Sequence, residues 1–475
     1  MDHATIEFLV SQGSRAHQAG ALTQAISHYN KALKINPTNG HVLYLMSLAQ
    51  QQTGQHDRAL NFLSRAIKLQ PDDAKLHFHL GVSLTQKNRF LDAIDAYKTA
   101  LTYQNDYFEA YFYLGNTLAK SNQRQKAIEA FLSSLKLNPS SSVAHFNLGV
   151  NYHESLRPAE AINHYKEAIK LNPNYSAALC NLSVALCEIG RVQEAIVTNA
   201  KAIEINPNLA DAHFNSHTFL VSSGKLNEAI FSIEKANKLE PHNEKFKFFL
   251  GMLLDYTGNH QKADLLLKTK KASRAWIADI ESWHYIKQLS PRPIMLGSSH
   301  DVFNYAMDKA FLDGLVLEFG VFHGTSIRQL ASLVHSTVHG FDSFEGIPEN
   351  WNAEKAGSYS TQGLLPIVPN NVLLHQGWFD QTLPGFIEQN NQAAKFINID
   401  CDLYSSTKTV LDLLHKQIVP GTVIVFDEFI AYPSWKEDEF QAFNEAADQY
   451  GWAFEVLCFC FVTKQVAIQI KSSEM

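Results

Sequence analysis

The sequence lacks any apolar run of about 20 residues, the length that a helix needs to cross a bilayer. Its first residues, MDHATIEFLVSQGSRAHQAG, lack the basic start and the long apolar core of a secretory signal peptide. Five cysteines show neither metal-ligand spacing nor the even number of a disulfide framework, as expected of free thiols in a reducing compartment. These absences predict a cytoplasmic protein without an integral membrane segment.

Charge is also in short supply. The net charge is −7 at pH 7 and charged residues make up 18% of the chain, which argues against a large nucleic-acid-binding surface. A hydrophobic content of 45% is typical of a globular protein. Because 475 residues exceed what one hydrophobic core accommodates, the length predicts about two to four domains.

An alanine recurs every 34 residues through the first half of the chain. The eight positions are Ala25, Ala59, Ala93, Ala127, Ala161, Ala195, Ala229 and Ala263. In most copies a small residue precedes the alanine by twelve positions, a second small residue follows it by seven, and a proline comes five positions later. Small residues let two antiparallel helices approach closely, large ones such as Tyr29 and Tyr97 fill the gaps, and proline ends each pair. No pair buries its apolar face alone, so the pairs must stack.

This period and residue pattern resemble tetratricopeptide repeats over roughly residues 6–270. The resemblance implies an all-α solenoid at 1–272, with about eight repeats and a concave face for a protein or peptide partner. Asn147, Asn181 and Asn215 also recur every 34 residues, at a position where some repeat proteins hold a peptide backbone. The alternative is that they are polar residues on a solvated face.

The 34-residue period ends before residues 273–314, which we predict to be a helical linker. Within it, DVFNYAMDKAFLDG has apolar residues at helical spacing and a glycine stop at Gly314. This helix either packs over the following domain or is a simple connector. From residue 315 apolar strands alternate with helices, which predicts a doubly wound, Rossmann-like α/β domain at 315–475. A tight connection near Lys464 makes the last two strands an antiparallel pair at its edge.

The G-x-G-x-x-G run of a dinucleotide site is missing from this domain. Instead, Gly320 and Gly324 flank a turn from the first strand into a helix, where free backbone N–H groups can bind a ligand. Asp342 lies 22 residues after Gly320 at the end of the second strand, where a carboxylate can accept hydrogen bonds from ribose. The combination favours S-adenosylmethionine over a nucleotide with a pyrophosphate.

Carboxylates end the fourth and fifth predicted strands: FINIDCD places Asp400 and Asp402, and VIVFDEF places Asp427 and Glu428. Three such groups held close together repel one another unless a cation joins them, and oxygen ligands select magnesium, calcium or manganese. We therefore predict a metal site of Asp402, Asp427 and Glu428. Asp402 is the candidate proton acceptor, and Asp400 is expected beside the cofactor in a supporting role. The alternative for Asp400 and Asp402 is capping of the helix that follows.

Five ordered motifs in the second half, LVLEFGVFHGTSI, VHGFDSFEGIPENW, GWFDQTLP, INIDCDLYSSTKTVL and GTVIVFDEFIAYP, resemble the macrocin O-methyltransferase family. Members of that family methylate sugar hydroxyls with S-adenosylmethionine and a magnesium ion. The resemblance covers about residues 297–475 and implies a set of cofactor contacts at the matching positions. With the helix start they are Glu318, Gly320, Gly324, Thr325, Ser326, Asp342, Ser343 and Trp378. Two positions depart from the family: Glu428, where Asp is common, and His323, where Arg or Lys is frequent.

Together these observations predict an S-adenosylmethionine- and magnesium-dependent O-methyltransferase acting on a sugar hydroxyl of a glycan or glycosylated metabolite. The rival hypothesis is a repeat-based binding protein with a silent methyltransferase-like domain, and a third replaces the sugar by a catechol-like phenol. Loop aromatics flank the same edge and either stack on sugar or pack locally: Trp351, Tyr359, Tyr432 and Trp435. His339 and His375 lie within strands, where a core or surface role is expected.

Overall fold

A computed structural model describes residues 2–268 and 273–473. The chain divides into two compact units, Met1–Leu156 with Asn163–Pro173, and Arg157–Ile162 with Asn174–Met475. The predicted boundary between residues 272 and 273 falls at 269–272, outside the described residues, so the predicted domain limits stay a prediction. No helix in the described ranges has both the length and the apolar character to cross a membrane.

Within the described residues, sixteen helices follow the repeat pattern in eight pairs. The pairs are α1 (Asp2–Gln18) with α2 (Leu22–Ile35), α3 (Gly40–Gln52) with α4 (His56–Leu69), α5 (Ala74–Gln86) with α6 (Phe90–Tyr103), α7 (Phe108–Lys120) with α8 (Arg124–Leu137), α9 (Ser142–Glu154) with α10 (Pro158–Leu171), α11 (Ser176–Glu188) with α12 (Val192–Ile205), α13 (Ala210–Ser222) with α14 (Leu226–Leu239), and α15 (Glu244–Tyr256) with α16 (His260–Leu267). The predicted repeat solenoid is confirmed.

Close contact between a glycine and an aromatic ring holds the helix pairs of the first unit together. A Cβ atom added at Gly81 would lie 2.6 Å from the ring of Tyr97, and one at Gly13 would lie 2.5 Å from the ring of Tyr29. Both tyrosines and the repeating alanines are fully buried. The small residue of the pattern therefore makes room for the large one, as the sequence predicts.

The turn inside each helix pair contains a residue with a left-handed backbone conformation, again at a spacing of 34. These residues are Gly20, Gly54, Asn88, Asn122, Leu156, Gly190, Gly224 and Gly258. Five copies carry glycine and two carry asparagine, the residues that adopt this conformation most readily. Leu156, with φ at 56°, lacks that advantage and is more than half exposed.

The second unit contains an eight-stranded sheet with helices on its faces. The strands are β1 (Ile294–Met295), β2 (Leu315–Phe319), β3 (Val338–Asp342), β4 (Val372–Gln376), β5 (Ala394–Ile399), β6 (Val423–Phe426), β7 (Trp452–Cys460) and β8 (Gln465–Ser473). The remaining helices are α17 (Arg274–Gln288), α18 (Ser299–Lys309), α19 (Thr325–Leu333), α20 (Phe379–Gln389), α21 (Tyr404–Leu414) and α22 (Glu439–Tyr450).

The strand order is β1-β7-β8-β6-β5-β2-β3-β4. All neighbours pair in parallel except β8, which is antiparallel to both β6 and β7. The predicted α/β fold and the antiparallel pair of β7 and β8 are confirmed, with β8 inside the sheet. Sequence reasoning missed β1, because two residues are too short for a periodic pattern.

One hydrophobic core of the second unit runs from the last repeats into the sheet. Phe248 of α15 meets Phe461, at the end of β7, with 5.3 Å between ring centroids, and Trp283 of α17 meets Phe459 of β7 at 6.3 Å. The predicted linker helix is present as α18, ending at Lys309 rather than near Gly314. Its residues Val302 and Phe303 are buried against sheet residues, so it is more than a connector.

Candidate functional site

Four parallel strands end together at one edge of the sheet. Phe319 of β2 is in register with Phe341 of β3 and Ile399 of β5, and Ile399 is in register with Phe426 of β6. The residues that follow these four positions are therefore neighbours: Gly320, Asp342, Asp400 and Asp427. Backbone hydrogen bonds continue the pairing, since the N–H groups of Asp400 and Asp427 donate to Phe319 and Ile399. The sequence correctly placed these residues at one edge.

The turn after β2 needs glycine at its first position. Gly320 has φ at 93°, and a Cβ atom there would lie 1.7 Å from the carbonyl oxygen of Asp400. Asp342 fixes the turn from the next strand. Its Oδ2 accepts hydrogen bonds from the N–H groups of Val321 (2.9 Å) and Phe322 (2.7 Å). The Asp342 carboxylate is thus already hydrogen-bonded to backbone, which holds the glycine turn open.

Glu318 is a fully buried carboxyl group directly before this turn. Its Oε1 accepts a hydrogen bond of 2.7 Å from the Ser326 hydroxyl, whereas Oε2 has no partner among the described residues. Burial, only partly offset by interactions with the Ser326 hydroxyl and the Asn398 side chain, raises the pKa of Glu318 to about 8. The amide of Asn398, in register on β5, is close enough to lower the pKa of Glu318 but forms no hydrogen bond of ordinary geometry in the described part of the chain. Unpaired buried polar atoms at a sheet edge favour a ligand with complementary donors.

The helix start after the turn is α19. Gly324 precedes it with φ at 77°, followed by Thr325 and Ser326 in its first turn. Arg328, which sequence reasoning overlooked, donates hydrogen bonds of 3.0 Å to the carbonyl oxygens of His323 and Ile367. Burial and the nearby guanidinium of Arg157 lower the pKa of His323. Arg328, five residues after His323, thus places a basic side chain near the turn.

Residues that follow β3 and β4 form the rest of this side of the sheet edge. The N–H group of Gly377 donates to the Asp342 carbonyl at 3.0 Å, which brings the half-buried Trp378 beside the end of β3. Ser343 is buried, and its hydroxyl accepts a hydrogen bond of 3.1 Å from the Glu345 N–H group. The predicted cofactor residues therefore lie along one continuous edge from Glu318 to Trp378, and their binding role stays a prediction.

The acidic residues after β5 and β6 affect one another's ionisation. Burial, followed by the negative charges of Asp427 and Asp402, raises the pKa of Asp400 well above its usual range. Burial and the charges of Glu428 and Asp427 likewise raise the pKa of Asp402. The N-cap residue of α21 is Leu403, so the alternative that Asp400 or Asp402 caps this helix is wrong. Asp402 itself has φ at 61°.

The predicted metal site of Asp402, Asp427 and Glu428 is not formed as expected. Within residues 2–268 and 273–473, no group of three or more His, Cys, Asp or Glu side chains is arranged to hold a metal ion. Lys464 and Gln465, at the turn between β7 and β8, already bind two of the carboxylates. The Lys464 ammonium lies 2.8 Å from Glu428 Oε1, and the Gln465 side-chain amide donates to Asp427 Oδ1. The side chains as arranged do not fit a divalent ion.

Sequence reasoning missed three members of this cluster: Glu439, Lys464 and Gln465. Glu439 opens α22 and is fully buried, and its Oε2 accepts a hydrogen bond of 3.2 Å from the Glu428 N–H group. Burial and the charges of Asp402 and Asp427 raise its pKa well above the usual range. In the sequence Glu439 reads as an ordinary acid of a first helical turn and Lys464 as a turn residue, so local pattern gave no indication of either.

The loop aromatics divide between core and surface. Trp435 is 2% exposed and packs on Tyr285 and Phe440, and Tyr432 is 5% exposed with its hydroxyl donating to Asp438. The prediction that Trp435 and Tyr432 stack on a sugar is therefore wrong. Trp351 is half-buried, and Tyr359 is 38% exposed. Burial and the charge of Asp402 raise the pKa of Tyr359 to about 12. The strand histidines pair as expected of a packing role, with 3.1 Å between His339 Nδ1 and His375 Nε2.

Family models match both halves of the chain. A methyltransferase domain matches residues 317–429, the span from β2 to the residues after β6. Tetratricopeptide repeat models match residues 16–77, 83–122, 108–141, 142–175 and 164–197. The chain carries a tetratricopeptide repeat array and a methyltransferase domain. The methyltransferase match is compatible with the narrower macrocin O-methyltransferase resemblance, which stays a prediction.

Several solved structures are similar to part of the chain. A crystal structure of MamA protein is 24% identical in sequence, with a TM-score of 0.34. The match covers 36% of this chain and 94% of the MamA chain. YrrB, described as a TPR protein with an unusual peptide-binding site, is 22% identical (TM-score 0.35; 42% and 97% covered). The C-terminal part of a repeat protein from Cytophaga hutchinsonii is 14% identical (TM-score 0.43; 49% and 96% covered). No curated protein matches the chain.

Proposed function

We propose that the protein is an S-adenosylmethionine-dependent O-methyltransferase. The observation that carries the proposal is the meeting, at one sheet edge, of the Gly320 turn, the unpaired buried carboxylate oxygen of Glu318, and the acid Asp402. The methyltransferase family match over residues 317–429 supports the reaction class. S-adenosylmethionine, when bound, supplies a methyl group on a sulfonium leaving group.

The chain's own residues then bind and orient the reactants. The Gly320 turn allows a ligand to approach the backbone, and Glu318 offers a hydrogen-bond acceptor to the positively charged end of the donor. Asp402, whose raised pKa makes its carboxylate a stronger base, accepts the proton of the acceptor hydroxyl. Alignment of the reactants supplies most of the remaining rate enhancement.

The proposed acceptor is a sugar hydroxyl of a glycan or glycosylated metabolite. The partly exposed Trp351 and Tyr359 offer rings for stacking on a sugar face. The family resemblance implies a magnesium requirement, which chelation tests. No step of the proposed reaction passes through a metal ion, because Lys464 and Gln465 bind Glu428 and Asp427.

For the repeat array we propose a protein or peptide partner, as the repeat family suggests. In the first unit the Asn147 side-chain amide donates to Asn116 at 2.8 Å, and in the second unit Asn215 donates to the Cys180 sulfur at 3.3 Å. These asparagines are half-buried and partly engaged inside the protein. Each amide retains acceptor capacity for a peptide.

Calorimetry with S-adenosylmethionine tests the cofactor assignment. We expect binding to the full chain. At pH 9, above the Glu318 pKa of about 8, we expect the Glu318→Gln variant to bind about tenfold more weakly because it lacks the negative charge at unchanged size. Glu388→Gln is the matched control, since Glu388 is an exposed acid on α20. No binding to the wild-type protein at millimolar cofactor would end the proposal.

A labelled-methyl assay over sugar and phenol acceptors tests the reaction. We expect transfer to a sugar hydroxyl, and we expect Asp402→Asn to reduce it by about 10²- to 10⁴-fold, as for loss of a general base. Asparagine tolerates the left-handed backbone at this position, so the fold should survive. Transfer only to a catechol would select the phenol acceptor, and unchanged transfer by Asp402→Asn would remove its assigned role.

A further inference from the structure

The turn between β7 and β8 inserts an amine and an amide among the carboxylates at the ends of β5 and β6. Lys464 has φ at 60°, and its carbonyl oxygen accepts a hydrogen bond of 3.2 Å from the Phe429 N–H group. This backbone contact ties the turn to the chain directly after Asp427 and Glu428. The hydroxyl of Thr463 donates to Gln465 Oε1 at 2.9 Å, which orients the Gln465 amide toward Asp427.

The Lys464 ammonium is held on two sides. It forms the 2.8 Å ion pair with Glu428 Oε1 and lies 5.5 Å from the centre of the Tyr432 ring, a distance typical of a cation–π contact. Its positive charge also acts on Asp402 and Asp427, whose pKa values it lowers against the dominant effect of burial. The ammonium therefore contacts Glu428 directly and acts on Asp402 and Asp427 only through its charge.

We infer that Lys464 is the resident cation of this carboxylate cluster and takes the place that the family resemblance gives to a divalent metal ion. It is a positioning residue, because it acts through Glu428 and Asp402 and need not touch the acceptor. The inference deepens the proposed function and rests on it for the role of Asp402. A divalent ion that binds here has to displace the ammonium, which opposes metal binding by charge repulsion.

Binding of Mn²⁺ to the full chain, measured by electron paramagnetic resonance, tests the inference without an activity assay. We expect the wild-type protein to bind Mn²⁺ with a dissociation constant of about 1 mM or weaker, and Lys464→Met to bind at least about tenfold more tightly because the competing charge is gone. Lys464→Arg should bind as weakly as the wild type. Lys471→Met is the matched control, because Lys471 pairs with Glu455 at 2.6 Å on the same two strands.

Tight binding of Mn²⁺ by the wild-type protein overturns the inference. Because this measurement uses no variant, it decides the question even if Lys464→Met misfolds. Unchanged or weaker binding by a folded Lys464→Met overturns it as well. In the transfer assay, activity of the wild-type protein should persist in a chelator, and loss of activity in the chelator would contradict the inference. Failure of the proposed function appears separately, as absent binding of S-adenosylmethionine.

Discussion

The repeat array and the sheet edge place their important residues by opposite means. In the repeats, Gly81 and Tyr97 meet within one helix pair, 16 positions apart, and the same spacing recurs along the array. At the sheet edge, Gly320, Asp400 and Asp427 come together from strand ends spread over 107 residues of the chain. Local, repeated contacts can be recognised by their period, whereas a site built from distant strand ends requires the topology.

Among the substitutions considered, we expect Gly320→Ala to have the largest effect on the free energy of unfolding. A Cβ atom there meets the backbone oxygen of Asp400, which cannot rotate away, and the left-handed φ adds strain. We expect Gly320→Ala to destabilise the second unit by about 4 kcal/mol or more, or to prevent its folding. Denaturant unfolding measures this. Gly385→Ala is the control, because no described atom lies within 4 Å of its added Cβ; equal stability of the two variants would contradict the close approach.

A smaller loss of stability is expected for Gly81→Ala, because the added Cβ atom meets a side chain rather than the backbone. The added Cβ lies 2.6 Å from the Tyr97 ring, so Gly81→Ala should cost about 1–3 kcal/mol through overpacking. Combining it with Tyr97→Leu should show a coupling energy, since the smaller side chain removes the clash. A double-mutant cycle in urea provides the measurement. Strict additivity would mean that the ring is not the obstacle.

The buried acid Glu318 predicts a pH dependence of stability. Its pKa is about 8 in the folded protein against an ordinary value of 4.5, so ionisation between these limits favours unfolding. Its contribution to stability is fully present below about pH 4.5 and is lost as the pH rises to about 8. Without cofactor, the free energy of unfolding of Glu318→Gln should increase relative to that of the wild type by up to about 1.4 kcal/mol for each pH unit in this window. Thermal unfolding at pH 5.5 and 8 measures the difference, and a constant difference would contradict it.

The smallest effect is expected at Leu156, the one turn residue of its series that is neither glycine nor asparagine. Leu156→Gly should stabilise the protein by about 1 kcal/mol, because glycine adopts a φ of 56° without strain. The reverse change, Gly224→Leu, should destabilise it by a similar amount. Thermal unfolding of both variants tests the pair, and destabilisation by Leu156→Gly would show that the leucine side chain contributes more than its backbone costs.

The sequence was most informative where structure repeats or alternates. The period of 34 predicted the helix pairs, and the strand ends correctly grouped Gly320, Asp342, Asp400 and Asp427. The sequence alone did not show which aromatic side chains are buried. Tyr432 and Trp435 look like loop aromatics but fill the core. Glu439 and Lys464 join the carboxylates only because α22 and the β7–β8 turn return to the same edge, which no local spacing records.

The ring contact between Phe248 and Phe461 joins the eighth repeat to the turn between β7 and β8. Phe461 lies three residues before Lys464, on the same turn, and Phe248 belongs to α15. Removal of the Phe248 ring would therefore take away a packing contact of the turn that carries Lys464.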